Sequence, residues 1–126
     1  MPIGVEENIV RAVCTEQWDA AQQRLSPSLF KGQNTSVSRL AITSLEDHWE
    51  VFRLTVEKPP TRRLEFITQI NVGALQQIGL GYQTPTTLTV EPKPEEKNPA
   101  HAEIPENITK GLSRKIVSAV TRHFPR

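Results

Sequence analysis

Cys14 is the single cysteine of the chain. One thiol closes no intramolecular disulfide, so nothing in the sequence points to an oxidising compartment. At the end of an apolar run, Cys14 reads as core. The three histidines, His48, His101 and His123, stand far apart, and no His-x-x-x-His accompanies them. No metal site is expected, and no cofactor. Glycine is scarce, with six in the chain. Gly79-Leu80-Gly81-Tyr82 holds two of them and no following lysine, which excludes a phosphate-cradling loop. A Gly-x-Ser-x-Gly nucleophile elbow is missing as well. No stretch approaches the ~18 apolar residues of a membrane span. The opening MPIGVEENIV carries acids where a signal peptide needs bases. A soluble, cytoplasmic protein without a membrane partner is expected. Charge of either sign is also missing in excess: 15 basic and 14 acidic side chains leave +1. That argues against a whole-protein footprint for nucleic acid.

What is present fits one domain. A chain of 126 residues closes a single core, and a mean hydropathy of −0.42 makes that core modest and the surface well solvated. Ile9 to Cys14 reads as a strand that carries Arg11 inside it. Thr15 then caps a helix to about Arg24, with Trp18, Ala21 and Leu25 at helical spacing, stopped by Ser26-Pro27. Leu29 or Phe30 tucks inward from the following loop, and Lys31 to Asn34 reads as a turn. Thr35 to Ile42 is β-prone. Ser44 and Asp47 have capping-box spacing before Leu45, Trp49, Phe52 and Val56, which share one helical face. Over 51–56 helix and strand fit equally well by periodicity. Pro59-Pro60 ends that element. Leu64 to Ile70 reads as a central strand. Asn71 caps a short helix, and Gly79 or Gly81 suits its left-handed C-terminal position. Thr86 to Val90 alternates like a half-buried strand.

Prolines gather late. Pro92, Pro94 and Pro99 make 91–99 a stiff, exposed linker. Ala100 to Ile104 follows as a further short strand. An amphipathic helix is then expected over 109–124, with Leu112, Ile116, Val117, Val120 and Phe124 as its stripe. The sum is an α+β domain: a short mixed or antiparallel sheet of four to five strands, covered by about three helices.

Four side chains stand out as candidate site residues: Arg11, Ser36, His101 and Glu103. If Ala100 to Ile104 is extended, His101 and Glu103 project from one face. An imidazole beside a carboxylate serves as a general base or holds a polar ligand. The plainer account is that His101 bonds a backbone group beside the proline-rich stretch. Arg11, set in an apolar strand, needs a partner or an anionic ligand. The plainer account there is an edge position or a structural ion pair. The basic pairs Arg62-Arg63 and Arg114-Lys115, with Arg122 and Arg126, would have to share one face to meet phosphates. Trp18 and Trp49 read as core, or as interface anchors if exposed.

Short elements spread along the chain, Val10-Arg11-Ala12, Ser26-Pro27-Ser28-Leu29-Phe30, Thr35-Ser36-Val37 and Pro99-Ala100-His101-Ala102-Glu103-Ile104, resemble those of a group of small uncharacterised bacterial proteins. The resemblance carries no activity. It implies that Arg11, Ser36 and His101 belong to one polar cluster.

Three functions follow as expectations. The first is a non-enzymatic protein-interaction or regulatory module, with a protein partner or a homodimer. It rests on the missing catalytic motifs, which lean away from an enzyme. The second is a small enzyme or ligand-binding domain for a nucleotide or other phosphate-containing molecule. There Arg11 holds phosphate, Ser36 or Arg39 orients it, and His101 with Glu103 moves a proton. ADP-ribosyl transfer is the reaction to test for it, by fold-level analogy alone. The third is nucleic-acid binding. A concave pocket lined by Arg11, Ser36 and His101 is the observation that favours the second.

Overall fold

Strand β1 (Asn8–Cys14) alternates its apolar residues between two cores. Ile9 and Val13 face one side of a sheet, and Val10 and Ala12 the other. A strand apolar on both faces must be covered twice, and this sets the architecture. The structure is a computed structural model and describes residues 3–120 and 122–125. β1 pairs antiparallel with β4 (Thr35–Arg39) and β5 (Leu64–Asn71). The remaining strands are β2 (Trp18–Asp19), β3 (Arg24–Leu25), β6 (Glu91–Pro92), β7 (His101–Ile104) and β8 (Arg122–Pro125). The main sheet runs β6-β7-β4-β1-β5-β8, antiparallel throughout, and β2-β3 form a separate ribbon. Five of its strands have four residues or more; β6 is a two-residue edge.

Helices α2 (Val72–Gly81) and α3 (Lys110–Ser118) cover one face through Leu75, Leu112 and Ile116. Helix α1 (Leu45–Val56) covers the other through Phe52, with Trp49 and Val56 beside it. The protein is α+β with three helices on a small antiparallel sheet. Among the described residues no helix is long and apolar enough to cross a membrane.

Caps set the helix starts. Ser44 Oγ accepts the Asp47 amide, Asn71 Oδ1 the Ala74 amide and Thr109 Oγ1 the Leu112 amide. Each satisfies an amide that has no partner inside its helix. Residues 51–56 are helical, because Phe52 and Val56 continue the buried face that Leu45 and Trp49 begin.

The sequence reading is corrected at several places. Residues 15–24 are not a helix. A single 3-10 turn (Thr15–Gln17) gives way to the β2-β3 ribbon. Beside the Trp18↔Leu25 and Asp19↔Arg24 pairs, the Ser26 amide donates to the Gln17 carbonyl, and in the turn Asp19 Oδ1 accepts the Gln22 amide. Trp18 packs on Phe66 with ring centroids 4.6 Å apart, and Ala21 is exposed. The strand before α1 ends at Arg39, so Leu40 to Ile42 lie outside it. Residues 86–90 show the expected burial, with Leu88 and Val90 inside, but they make no ladder. Neither Gly79 nor Gly81 is left-handed; the helix ends on Tyr82 in extended geometry. Residues 91–99 are not a free linker. They form the first arm and turn of a hairpin with β7, closed by the Glu95–Asn98 bridge. Finally, α3 stops at Ser118 rather than continuing to 124. Residues 122–125 return as β8 against β5, where Phe124 meets Ile67 in register. That pairing buries part of Phe124 in the α1-side core, which a longer helix would not do. Thr121, in the span read as helix, lies outside the described residues.

His48 sits inside α1 at 1% exposure. Its Nε2 lies 3.2 Å from the Leu40 carbonyl oxygen and 3.1 Å from Thr43 Oγ1. Burial pushes the imidazole pKa below its usual value, against backbone bonds to Leu40 and Arg39 that raise it. The unfolded chain therefore takes up this proton at a higher pH than the folded one. The stability is whole above the unfolded value of about 6.5 and is lost as pH falls towards the folded value. The urea midpoint of the parent should drop between about pH 7.5 and 5.5. His48→Gln should lose most of that slope, and equal slopes would remove His48 as its source.

Candidate functional site

β1 and β4 run together for only two pairs, Ile9↔Arg39 and Val10↔Ser38. Beyond them the strands part. Arg11 occupies the opening: Nε donates to the Leu29 carbonyl at 2.9 Å and Nη1 to the Ser36 carbonyl at 2.5 Å. Its guanidinium carbon stands 5.9 Å from the Phe30 ring centroid. Leu29 and Phe30 are themselves fixed. Both are 1% exposed, and the Phe30 amide donates to Ser113 Oγ of α3 at 2.9 Å.

A cleft of about 270 Å³ lies at this opening. α1 contributes Val51, Phe52, Thr55 and Val56 to its wall. The strands contribute Arg11, Ala12, Ser36, Val37 and Ser38, and the 91–104 hairpin Glu95, Asn98 and His101. The structure thus brings Arg11, Ser36 and His101 to one cavity. Ser36 takes part through its carbonyl, which Arg11 engages.

The arginine is the unusual group. Among the described residues no carboxylate stands within ion-pair distance of it. Burial, reinforced by the Arg62 charge and opposed by Cys14, brings its pKa down to about 10. It is still a cation at neutral pH. Arg11 is half-buried, and a cation that loses part of its hydration favours a counter-charge. A guanidinium has five N–H donors. Two serve Leu29 and Ser36, and Nη2 makes no hydrogen bond among the described residues.

His101 is held by the hairpin. Nδ1 lies 2.9 Å from the Lys93 carbonyl oxygen. A carbonyl only accepts, so the proton of the neutral ring sits on Nδ1 and Nε2 keeps its lone pair. The carboxylate near the ring is that of Glu95, 3.9 Å from Nδ1. Glu103 shares the strand face of His101, since Ala102 and Ile104 between and beyond them are buried. It pairs across the ladders with Ser36 and Glu91 and does not line the cleft.

Arg39 is engaged elsewhere. It makes a two-pronged ion pair with Glu7 at 2.6 and 2.9 Å, and that charge-assisted bond pulls the Glu7 pKa down and the Arg39 pKa up. The basic pairs stand on separate elements. Arg62 lies 2.7 Å from Glu16, while Arg114 and Lys115 are exposed on α3. The side chains of Arg122 and Arg126 lie outside what the structure describes. Among the described residues no cluster of three metal-ligating side chains occurs.

Two contributors were not singled out by sequence. Asn98 is 5% exposed; Nδ2 donates to Ser38 Oγ at 2.9 Å and Oδ1 accepts the Ala100 amide at 3.1 Å. Its place between two charged residues and a proline reads as a turn, and its partner lies 60 residues away. The other is the α1 wall, of which the sequence marks only Phe52 and Val56, as part of an apolar helical face. No protein-family model, curated protein or solved structure matches the chain.

Proposed function

We propose that the protein binds a small anionic, phosphate-containing molecule in the cleft between α1 and the parted strands. The observation that carries this reading is Arg11, half-buried at the cleft and without a carboxylate partner among the described residues. An anionic ligand supplies the missing counter-charge through a charge-assisted hydrogen bond. His101 lines the cleft with its Nδ1 held at the Lys93 carbonyl, and Val51, Phe52 and Val56 offer an apolar wall to the ligand body. The volume falls just under the usual ~300 Å³ lower bound for small-molecule sites. A mononucleotide or a smaller phosphate ester suits it better than a dinucleotide.

The competing reading, a protein-interaction or regulatory module, draws on exposed apolar side chains. Leu54 on α1 and Leu80 on α2 are 64% and 53% exposed. Their helices cover opposite faces of the sheet, so the two do not make one patch.

A thermal-shift titration tests the ligand reading, with 5′-AMP, ribose 5-phosphate and inorganic phosphate set against adenosine and ribose. At about a hundredfold excess over Kd, a ligand that binds only the folded state adds ~2.7 kcal/mol, roughly 10 °C for a domain of this size. The phosphorylated compounds should raise the Tm, and their unphosphorylated counterparts should not. Arg11→Met should abolish the rise relative to its own baseline, and His101→Gln should reduce it. Equal behaviour of AMP and adenosine would overturn the proposal.

A further inference from the structure

The backbone of β1 alternates its direction as well as its side chains. The Glu7 carbonyl accepts the Val72 amide and the Arg11 carbonyl accepts Thr68 Oγ1, so odd-numbered residues face β5. The Asn8 carbonyl accepts the Leu40 amide, so even-numbered residues face β4. The ladder with β4 ends at Val10↔Ser38. In a continuing ladder the next amide, Ala12, would donate to the Ser36 carbonyl. Arg11 Nη1 takes that carbonyl instead. The amide after it on the same side, Cys14, is satisfied by Gln17 Oε1 at 2.9 Å. The β1-β4 ladder, whose last pair is Val10↔Ser38, supplies no acceptor to Ala12 N–H, so this amide is directed into the parting between the strands, on a residue that lines the cleft. Unsatisfied backbone donors at buried or half-buried positions are rare and call for a partner.

We propose that the Ala12 amide and Arg11 form a two-point oxyanion site for the terminal phosphoryl group of a phosphomonoester, whose organic body lies against Phe52 and Val56. This rests on the ligand reading above and specifies its chemistry. One fixed backbone dipole and one guanidinium engage two oxygens of the same group, as amide-and-cation cradles do at phosphate sites. The parting of β1 and β4 is then the device that frees the amide, and Arg11 both holds the strands apart and completes the site.

Phenyl phosphate is the probe, added to the ¹⁵N-labelled full chain and followed by amide and arginine Nε–H resonances. The Ala12 amide proton should move downfield and saturate at the same Kd as the Arg11 Nε–H. Phenol should move neither. Benzoate should bind roughly 10-fold more weakly or worse, the smaller end of what a charge-assisted bond contributes. If the Arg11 resonance moves and that of Ala12 does not, the two-point site is wrong while the ligand reading stands. If benzoate binds as tightly as phenyl phosphate, the phosphoryl assignment is wrong. If none of the three probes moves either resonance, this proposal falls together with the ligand reading.

Discussion

Gly79→Ala is expected to destabilise the fold by about 2–4 kcal/mol, although alanine in a helix interior normally gains ~0.5–1 kcal/mol over glycine. The reason is the approach of the 85–90 segment to α2. A Cβ at position 79 would collide with the Thr86 carbonyl oxygen and stand 3.0 and 3.1 Å from Leu88 Cγ and Cδ1. The Thr86 amide donates to the Gly79 carbonyl at 2.9 Å, so the two backbones are bonded and cannot part freely. Leu88 and Val90 are both fully buried, and moving them would disturb the core that α2 and α3 share. Gly81→Ala is the control. It lies in the same helix, has no atom within 4 Å of the added methyl and has an ordinary φ. It should be neutral or stabilising by up to ~1 kcal/mol. Urea unfolding at constant m-value separates the two. A Gly79→Ala variant within ~0.5 kcal/mol of the parent would mean that the 85–90 segment shifts outward at little cost.

The same glycine marks where sequence reasoning stops. Periodicity located α1, β5 and α2, because each buries apolar residues at its own repeat, and the two helices also start from capping side chains. Gly79 was read as a helix terminator because glycine most often ends helices in left-handed geometry. Its actual role is close approach to a segment with which it has no local pattern in common. The 15–24 helix failed for a related reason. Trp18 and Leu25 had helical spacing, but they pair across the β2-β3 ribbon. The 109–124 helix was right for the turns that bury Leu112 and Ile116. It was wrong beyond Ser118, where Phe124 belongs to a strand edge that only β5 supplies.

The candidate site was legible in part. Arg11 stood out as a charge in an apolar strand, and His101 as an imidazole between prolines. Both line the cleft. Glu103 was chosen for its distance along the strand, yet the carboxylate that reaches His101 is Glu95, across the hairpin. That could not be seen while 91–99 was read as an open linker. The Ala12 amide could not be seen at all. Its availability depends on where the β1-β4 ladder stops, which is a property of register and of one side-chain bond rather than of composition.

Asn98→Ala is expected to cost about 2–3 kcal/mol, and it tests how the hairpin is tied to the cleft. The side chain makes two buried bonds, to Ser38 Oγ and from the Ala100 amide. Truncation leaves both partners in place without water to replace the lost group. The turn itself should survive, since the Glu95 and Asn98 backbones bond each other in both directions. The loss therefore reports the anchor and not the turn. Ser38→Ala alone strands Asn98 Nδ2, and the double variant removes both ends of the bond. Their coupling in urea unfolding should reach about 1 kcal/mol or more, as for groups in direct contact. Because Asn98 and His101 reach the cleft from the same hairpin, Asn98→Ala should also weaken phosphate-ester binding, while Ala20→Gly in the remote β2-β3 turn should not. Additive stabilities for Ser38 and Asn98 would show that the hairpin is held by its ladder alone. The position of His101 at the cleft would then owe nothing to this bond.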